Sequence, residues 1–514
     1  MSLNRTTLAL IAVVTALGAI TGFATLTAPS TEPTGGAAAT AAQLPVERST
    51  LVCPQPSSSE LGETTYTAYT PKGEVQRESG NKGSAGLFPA GHTLEGGGRG
   101  KHKDNKENEG DEKAPKPELP LKAPGTPVVH ETKRTDAPAL TGSADGPLAP
   151  GWTVQQTTAI TAGTGRGMLG VGCSAPDTDF WFAGVSTAEG RHDYIHLTNP
   201  DDAPATVDLQ LYGKDGKVES ESGSGINIPG GATVPVLLST LTADPVTNVT
   251  LHVAVRSGRI GAQVQALDEK LGGDWIAASA APSGSVVLPG IPADATGVRL
   301  VAFAPGERDA ELAVKFAGPS GSISPAGRET LHVKSGMATA VDLNDLTKGE
   351  PGALLLSPAE GSGQAPVVAG LRVLRGKGAK QEMAFIPATA PVEERTTAAG
   401  SSAKGSTLFL VAPGKAAKAK VTASAGSEGG KPVSKTYDLK PGTTTAIDGL
   451  RPEGGKGTFA LTVEWVSGGP VHAARMLETA KKGIPMFTVQ TLPDDGGMVR
   501  VPKAAEDLSV LGDG

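Results

Sequence analysis

Short runs of alternating apolar and polar residues fill this chain from about residue 150 onward, and they predict strands. Val207, Leu209 and Leu211 are separated by Asp208 and Gln210, and Leu312, Val314 and Phe316 by Ala313 and Lys315. That period of two places one face of each strand toward a core. Tyr212-Gly213-Lys214-Asp215-Gly216-Lys217 supplies turn chemistry between two such runs, because Asp-Gly suits positive φ. Apolar runs with the 3.6-residue period of a long helix are missing.

Three passages recur in the same order. A strand ending in proline is found at Ile195–Pro200, Leu300–Pro305 and Leu408–Pro413; the prolines are 105 and 108 residues apart. A glycine turn leading into a strand begins at Gly231, Gly336 and Gly442, spaced by 105 and 106. A third strand opens at Ile260, Val367 and Val471. A repeat of this length is domain-sized and matches one small β-sandwich, with about seven short strands and turns every 8–12 residues. The predicted fold is therefore all-β, with tandem immunoglobulin-like sandwiches. A β-propeller is the alternative, since 105 residues also accommodate two blades of about 40–50; no half-length match supports it.

This reading divides the chain into an apolar N-terminal segment (1–28), a tether (29–43) and an N-terminal β unit (44–190). Sandwiches follow over 191–283, 284–390 and 400–495, with a C-terminal strand or tail (496–514) expected to pair with a module edge. Within the β unit, residues 71–150 are charged and rich in glycine and proline. The stretch from Lys106 to Pro120 has almost no large apolar group, and such composition predicts disorder.

Composition narrows the function. The net charge of −7 argues against a nucleic-acid partner, which needs clustered Lys and Arg. At the N-terminus, Arg5 precedes an apolar run from Leu8 to about Leu26, the pattern of an export signal. Its length also fits a membrane anchor, so a cleaved and an uncleaved segment both stay open. Either way the rest of the chain is expected outside the membrane. Cys53 and Cys173 are the two cysteines. Without a CxxC partner or a nearby histidine pair, a disulfide is the better reading than a metal site in an oxidising compartment.

The motifs that resemble chemistry are weak. Gly165-Arg166-Gly167-Met168-Leu169-Gly170 matches GxGxxG, but the residues after it do not favour the helix that a dinucleotide site requires. His192, Asp193 and His196 form the one cluster of candidate ligands. On a strand the two histidines share a face about 13 Å apart, too far to share a metal directly. Trp152, Trp181, Trp275 and Trp465 are the residues for a sugar-stacking platform, although Phe180-Trp181-Phe182 reads better as core. No catalytic residue, metal or cofactor is assigned.

Leu51-Val52-Cys53-Pro54 and the run from Val171 to Phe182, together with the N-terminal signal, resemble an exported actinobacterial family known as domain of unknown function 5719. The resemblance implies a secreted or membrane-anchored envelope protein and brings no catalytic residues. The Asn199-Pro200 strand and its glycine turn also look like bacterial immunoglobulin-like modules of cell-surface proteins. The expectation is a non-enzymatic envelope protein that meets other envelope proteins or cell-wall glycan, and the membrane through an uncleaved N-terminus. A glycan-binding or glycan-processing protein is the alternative.

The cysteine reading has a direct check. Non-reducing mass spectrometry of chain recovered from the envelope is expected to find Cys53 joined to Cys173, and two free thiols would refute it.

Overall fold

The computed structural model describes residues 42–73, 83–91, 116–481 and 483–501. The apolar segment 1–28, the tether up to residue 41 and most of the charged insertion lie outside the described residues. Ala42–Pro45 pairs with Met498–Val501 and belongs largely to a small unit of its own. Among the described residues the pairing shown for the C-terminal strand is this one, where the sequence predicts a module edge.

Among its described residues, the compact unit of residues 45–498 is built from strands and three short 3-10 turns. Its eight sheets form four sandwiches. In the first repeat, one sheet runs Asp179–Val185, Val249–Ser257, Ala205–Gly213, Gly216–Val218. The other runs Thr233–Leu237, Arg191–Thr198, Gly261–Asp268, Gly272–Ile276. Counting the eight main strands along the chain, the sheet orders are 1-6-3-4 and 5-2-7-8. Every neighbouring pair with a resolved register is antiparallel. Propeller blades would be meanders of consecutive strands, so the interleaved order settles the choice for sandwiches.

The recurring landmarks have a common physical origin. Gly231, Gly336 and Gly442 have φ of 67°, 69° and 66°, a left-handed conformation that glycine adopts without strain. Gly336 and Gly442 donate their N–H to the carbonyl before the landmark proline, Ala304 at 2.8 Å and Ala412 at 2.7 Å. Ile260, Val367 and Val471 are fully buried and bridge back to Asp177, Ser283 and Val392 at the start of each module.

The N-terminal β unit is a fourth copy of the same sandwich. Its strands, from Arg48–Cys53 to Gly167–Gly172, follow the same two sheet orders. Gly125, also left-handed, donates to the carbonyl of Thr70 at 2.7 Å, ahead of Pro71. The expected boundaries shift accordingly. The first repeat opens at Asp179, since Phe180 and Phe182 face its core, and not at residue 191.

Disorder across 71–150 does not hold for the described part. Ala85–Pro89, Leu119–Leu121, Val128–Thr132 and Leu140–Asp145 are strands within that range. Leu87, Leu119 and Leu121 fill the core there. A few well-spaced leucines suffice for three- and five-residue strands, although the averaged composition hides them.

The disulfide joins Cys53, at the end of a strand in one sheet, to Cys173, immediately beyond the last strand of the other. It closes a separation of 120 residues, worth about 4–5 kcal/mol in the chain-entropy account.

The cores are not separate. Met383 and Phe385, on the last strand of the second repeat, belong to the core of the first. Phe409, Ala474, Met476, Phe487 and Val489 of the third repeat complete the core of the second. An isolated second repeat, residues 284–390, lacks those five side chains and is expected to show no cooperative unfolding transition in urea. In the whole chain, Phe487→Ala is expected to destabilise the second and third repeats together by about 3–5 kcal/mol. A cooperative transition of the fragment would show that each sandwich suffices alone.

Candidate functional site

The last strand of each sandwich is Gly167–Gly172, Gly272–Ile276, Glu382–Pro387 and Ile484–Leu492. Each touches the last strands of two other copies, and the contacts close a cycle. Along Glu382–Pro387, Ala384 and Ile386 face their own core while Met383 and Phe385 face the preceding one. Trp275 packs in the same way on Leu169 and Val171 of the N-terminal sandwich. Met168 of that sandwich meets Leu477 and Met486 of the third repeat and closes the ring. Glycine permits the close approach at Gly170, where a Cβ would lie 2.5 Å from Thr488 Cγ2 and 2.6 Å from Gln490 Nε2.

Asp274 of the first repeat is fully buried at this junction. Its Oδ1 accepts the Gly170 N–H at 3.1 Å and the Thr488 hydroxyl at 3.0 Å, and its Oδ2 accepts the Phe385 N–H at 3.4 Å. One carboxyl group is thereby bonded to all three other sandwiches. Burial, only partly offset by these donors, pushes its pKa well above the usual carboxylate range.

A second tie lies beside it. Arg166 meets Glu382 at 2.9 Å and donates to the carbonyls of Gln381 at 2.9 Å and Lys270 at 3.1 Å, so it links three sandwiches. This glycine-rich segment matched GxGxxG in the sequence, but it runs into a strand and the phosphate-binding helix is absent.

The seam between the third repeat and the N-terminal sandwich also holds a polar cluster beside its apolar contacts. Arg475 is fully buried and donates to the Ala399 carbonyl, Ser401 Oγ at 3.0 Å, Gln155 Oε1 at 3.0 Å and Gln490 Oε1 at 2.7 Å. Burial pushes its pKa down to about 9, so the cation persists at neutral pH in a cage of neutral acceptors.

The three ligand candidates are not brought together. His192 is half-buried and lies 3.5 Å from Glu269. Asp193 points into the opposite face, where Arg191 grips it through Nε at 3.0 Å and Nη2 at 2.8 Å. His196 packs edge-on against Trp275 and has no hydrogen bond among the described residues. No group of three metal-ligating side chains occurs among the described residues. Of the four tryptophans, Trp465 alone is exposed, so they form no row for stacking sugars.

Sequence reasoning missed one cavity. About 120 Å³ opens where the first and second repeats meet, lined by Arg191, Arg299 and Arg372 together with Gly184, Ser186 and Asn248. Arg299 is engaged by Asp342 at 2.7 and 2.6 Å. Arg372 stands directly across the strand pair from Arg299 and has no ion pair among the described residues. Its Nε is buried without a hydrogen-bond partner. The arginines are 181 positions apart from first to last, so no local motif exposes the cluster.

The profile of a family of unknown function, DUF5719, matches residues 128–449. That is more than half of the chain, and the chain belongs to this family. The match begins inside the N-terminal sandwich and ends in the third repeat. No curated protein and no solved structure matches the chain.

The buried titratable groups predict opposing pH effects. Burial lowers the pKa of His196 and His472 to about 4. Each therefore contributes stability present above the unfolded pKa of 6.5 and lost as pH falls toward 4, on the order of 3 kcal/mol apiece. Asp274, with a raised folded pKa, contributes most below its unfolded value and loses that contribution as pH rises. Urea unfolding at pH 7.5 and pH 5 is expected to show weaker stability in acid. His196→Phe should lessen that drop, and Asp274→Asn should deepen it. Unchanged pH slopes in both variants would contradict the assignment.

Proposed function

We propose that this DUF5719 member is a non-enzymatic scaffold of the cell envelope. Its N-terminal segment directs it across the membrane, and its sandwiches contact envelope proteins or cell-wall glycan outside. The observation that carries this reading is the closure of four sandwiches of one strand order through their last strands. Such closure fixes the spacing of four similar outer surfaces, which suits multivalent contact; a single active site has no need of four copies. The Cys53–Cys173 disulfide supports an oxidising compartment. Among the described residues no helix is long and apolar enough to cross a membrane, so the reading leaves any anchoring role to the N-terminal segment.

Fractionation of cells making a C-terminally tagged full chain tests the location, and incubation with purified cell-wall glycan tests the activity. The chain is expected in the envelope fraction with its cysteines oxidised, sedimenting with glycan and releasing no soluble fragments. Release of glycan fragments would replace this reading with the processing one. A cytoplasmic pool with free thiols would remove the envelope from it.

A further inference from the structure

We propose that the cavity between the first and second repeats is a binding site for a tetrahedral oxyanion, a phosphate group, with Arg372 as its principal contact. The first argument is charge. Arg191 and Arg299 are each held by a carboxylate through Nε and Nη2. In neither case does Nη1 make a hydrogen bond among the described residues. Arg372 has no ion-paired carboxylate among the described residues; Asp342, one acid whose field reaches it, is taken up by Arg299. The other acid whose field reaches it, Asp268, accepts the N–H groups of Lys270 and Leu271, both at 2.9 Å.

The second argument is cost. Arg299 and Arg372 are direct cross-strand partners, and like charges in that position destabilise a sheet. Burial and the fields of Arg191 and Arg299 also pull the Arg372 pKa below the usual arginine range. A bound anion relieves both penalties. A buried Nε without a hydrogen-bond partner is otherwise expensive.

The third argument is shape and chemistry. The three guanidinium-bearing residues come from three strands of two repeats, Arg191–Thr198, Ala295–Phe303 and Val368–Arg375. Ser186 and Asn248 add neutral polar groups to the lining. One arginine fork suffices for a planar carboxylate, whereas several cations around one cavity suit the charge and the extra oxygens of phosphate. The site exists only where two repeats meet, so it goes beyond the scaffold reading and does not depend on which surface that scaffold contacts.

Calorimetric titration of the full chain at neutral pH and low ionic strength tests the site. The probes are inorganic phosphate, a sugar phosphate and acetate. Saturable phosphate binding is expected, with acetate at least tenfold weaker, a difference of about 1.4 kcal/mol. Sugar-phosphate binding of similar strength would show that the site takes the terminal phosphate of a larger molecule. Phosphate binding alone would show that it takes the free ion.

Arg372→Gln is expected to weaken phosphate binding about tenfold or more while leaving the melting temperature in phosphate-free buffer unchanged or higher. Arg299→Gln, at a more exposed position, is the second variant and should weaken binding several-fold should the first fail to fold. The proposal is overturned if wild-type chain shows no saturable binding at millimolar phosphate. It is equally overturned if binding survives both substitutions, or if chloride at equal ionic strength competes as well as phosphate.

Discussion

Four short strands buried on both faces hold this molecule together. A strand at the edge of an ordinary sandwich has one face on its core and one in water. Here a last strand is covered on both faces, as on Glu382–Pro387, where Ala384 and Ile386 enter one core and Met383 and Phe385 another. Each large side chain so buried contributes about 1.5–3 kcal/mol. Because the contacts run in a cycle, removing any one sandwich takes a neighbour from two others. The ring also covers strands that would otherwise be open to pairing with another chain.

The polar groups at the junction act differently from the apolar ones. Apolar faces tolerate small displacements at modest cost, since the attraction is non-directional. Asp274 does not, because its two oxygens require donors from Gly170, Phe385 and Thr488, one from each other sandwich. Sliding any strand by one residue would leave a buried carboxyl unsatisfied. Arg475 makes the same demand on the seam that closes the ring, where its partners come from both ends of the chain. Burial thus shifts the pKa values of both groups, and their hydrogen bonds define the register.

The arrangement also explains where space is left between sandwiches. The last strands meet closely, and space remains elsewhere along a seam. Between the first and second repeats that space is lined by arginines which neither repeat would bring together alone. The ring and the cavity are therefore products of the same packing.

The sequence by itself determined the strand character, the repeat and the disulfide. Period-two alternation at Leu209 and Val314 reports burial on one face, and Gly231, Gly336 and Gly442 report a backbone conformation that favours glycine; both signals are local. The fourth sandwich was hidden because its inserted charged residues lengthen the spacing between Pro71 and Pro200 to 129 positions. His192, Asp193 and His196 looked like a cluster because they are close in sequence, but a strand sends neighbours to opposite faces. The ring, the burial of Asp274 and the meeting of Arg191, Arg299 and Arg372 were decided by tertiary structure alone. Each depends on which faces of distant strands come together, and hydrophobic pattern specifies that a face is buried without specifying what it is buried against.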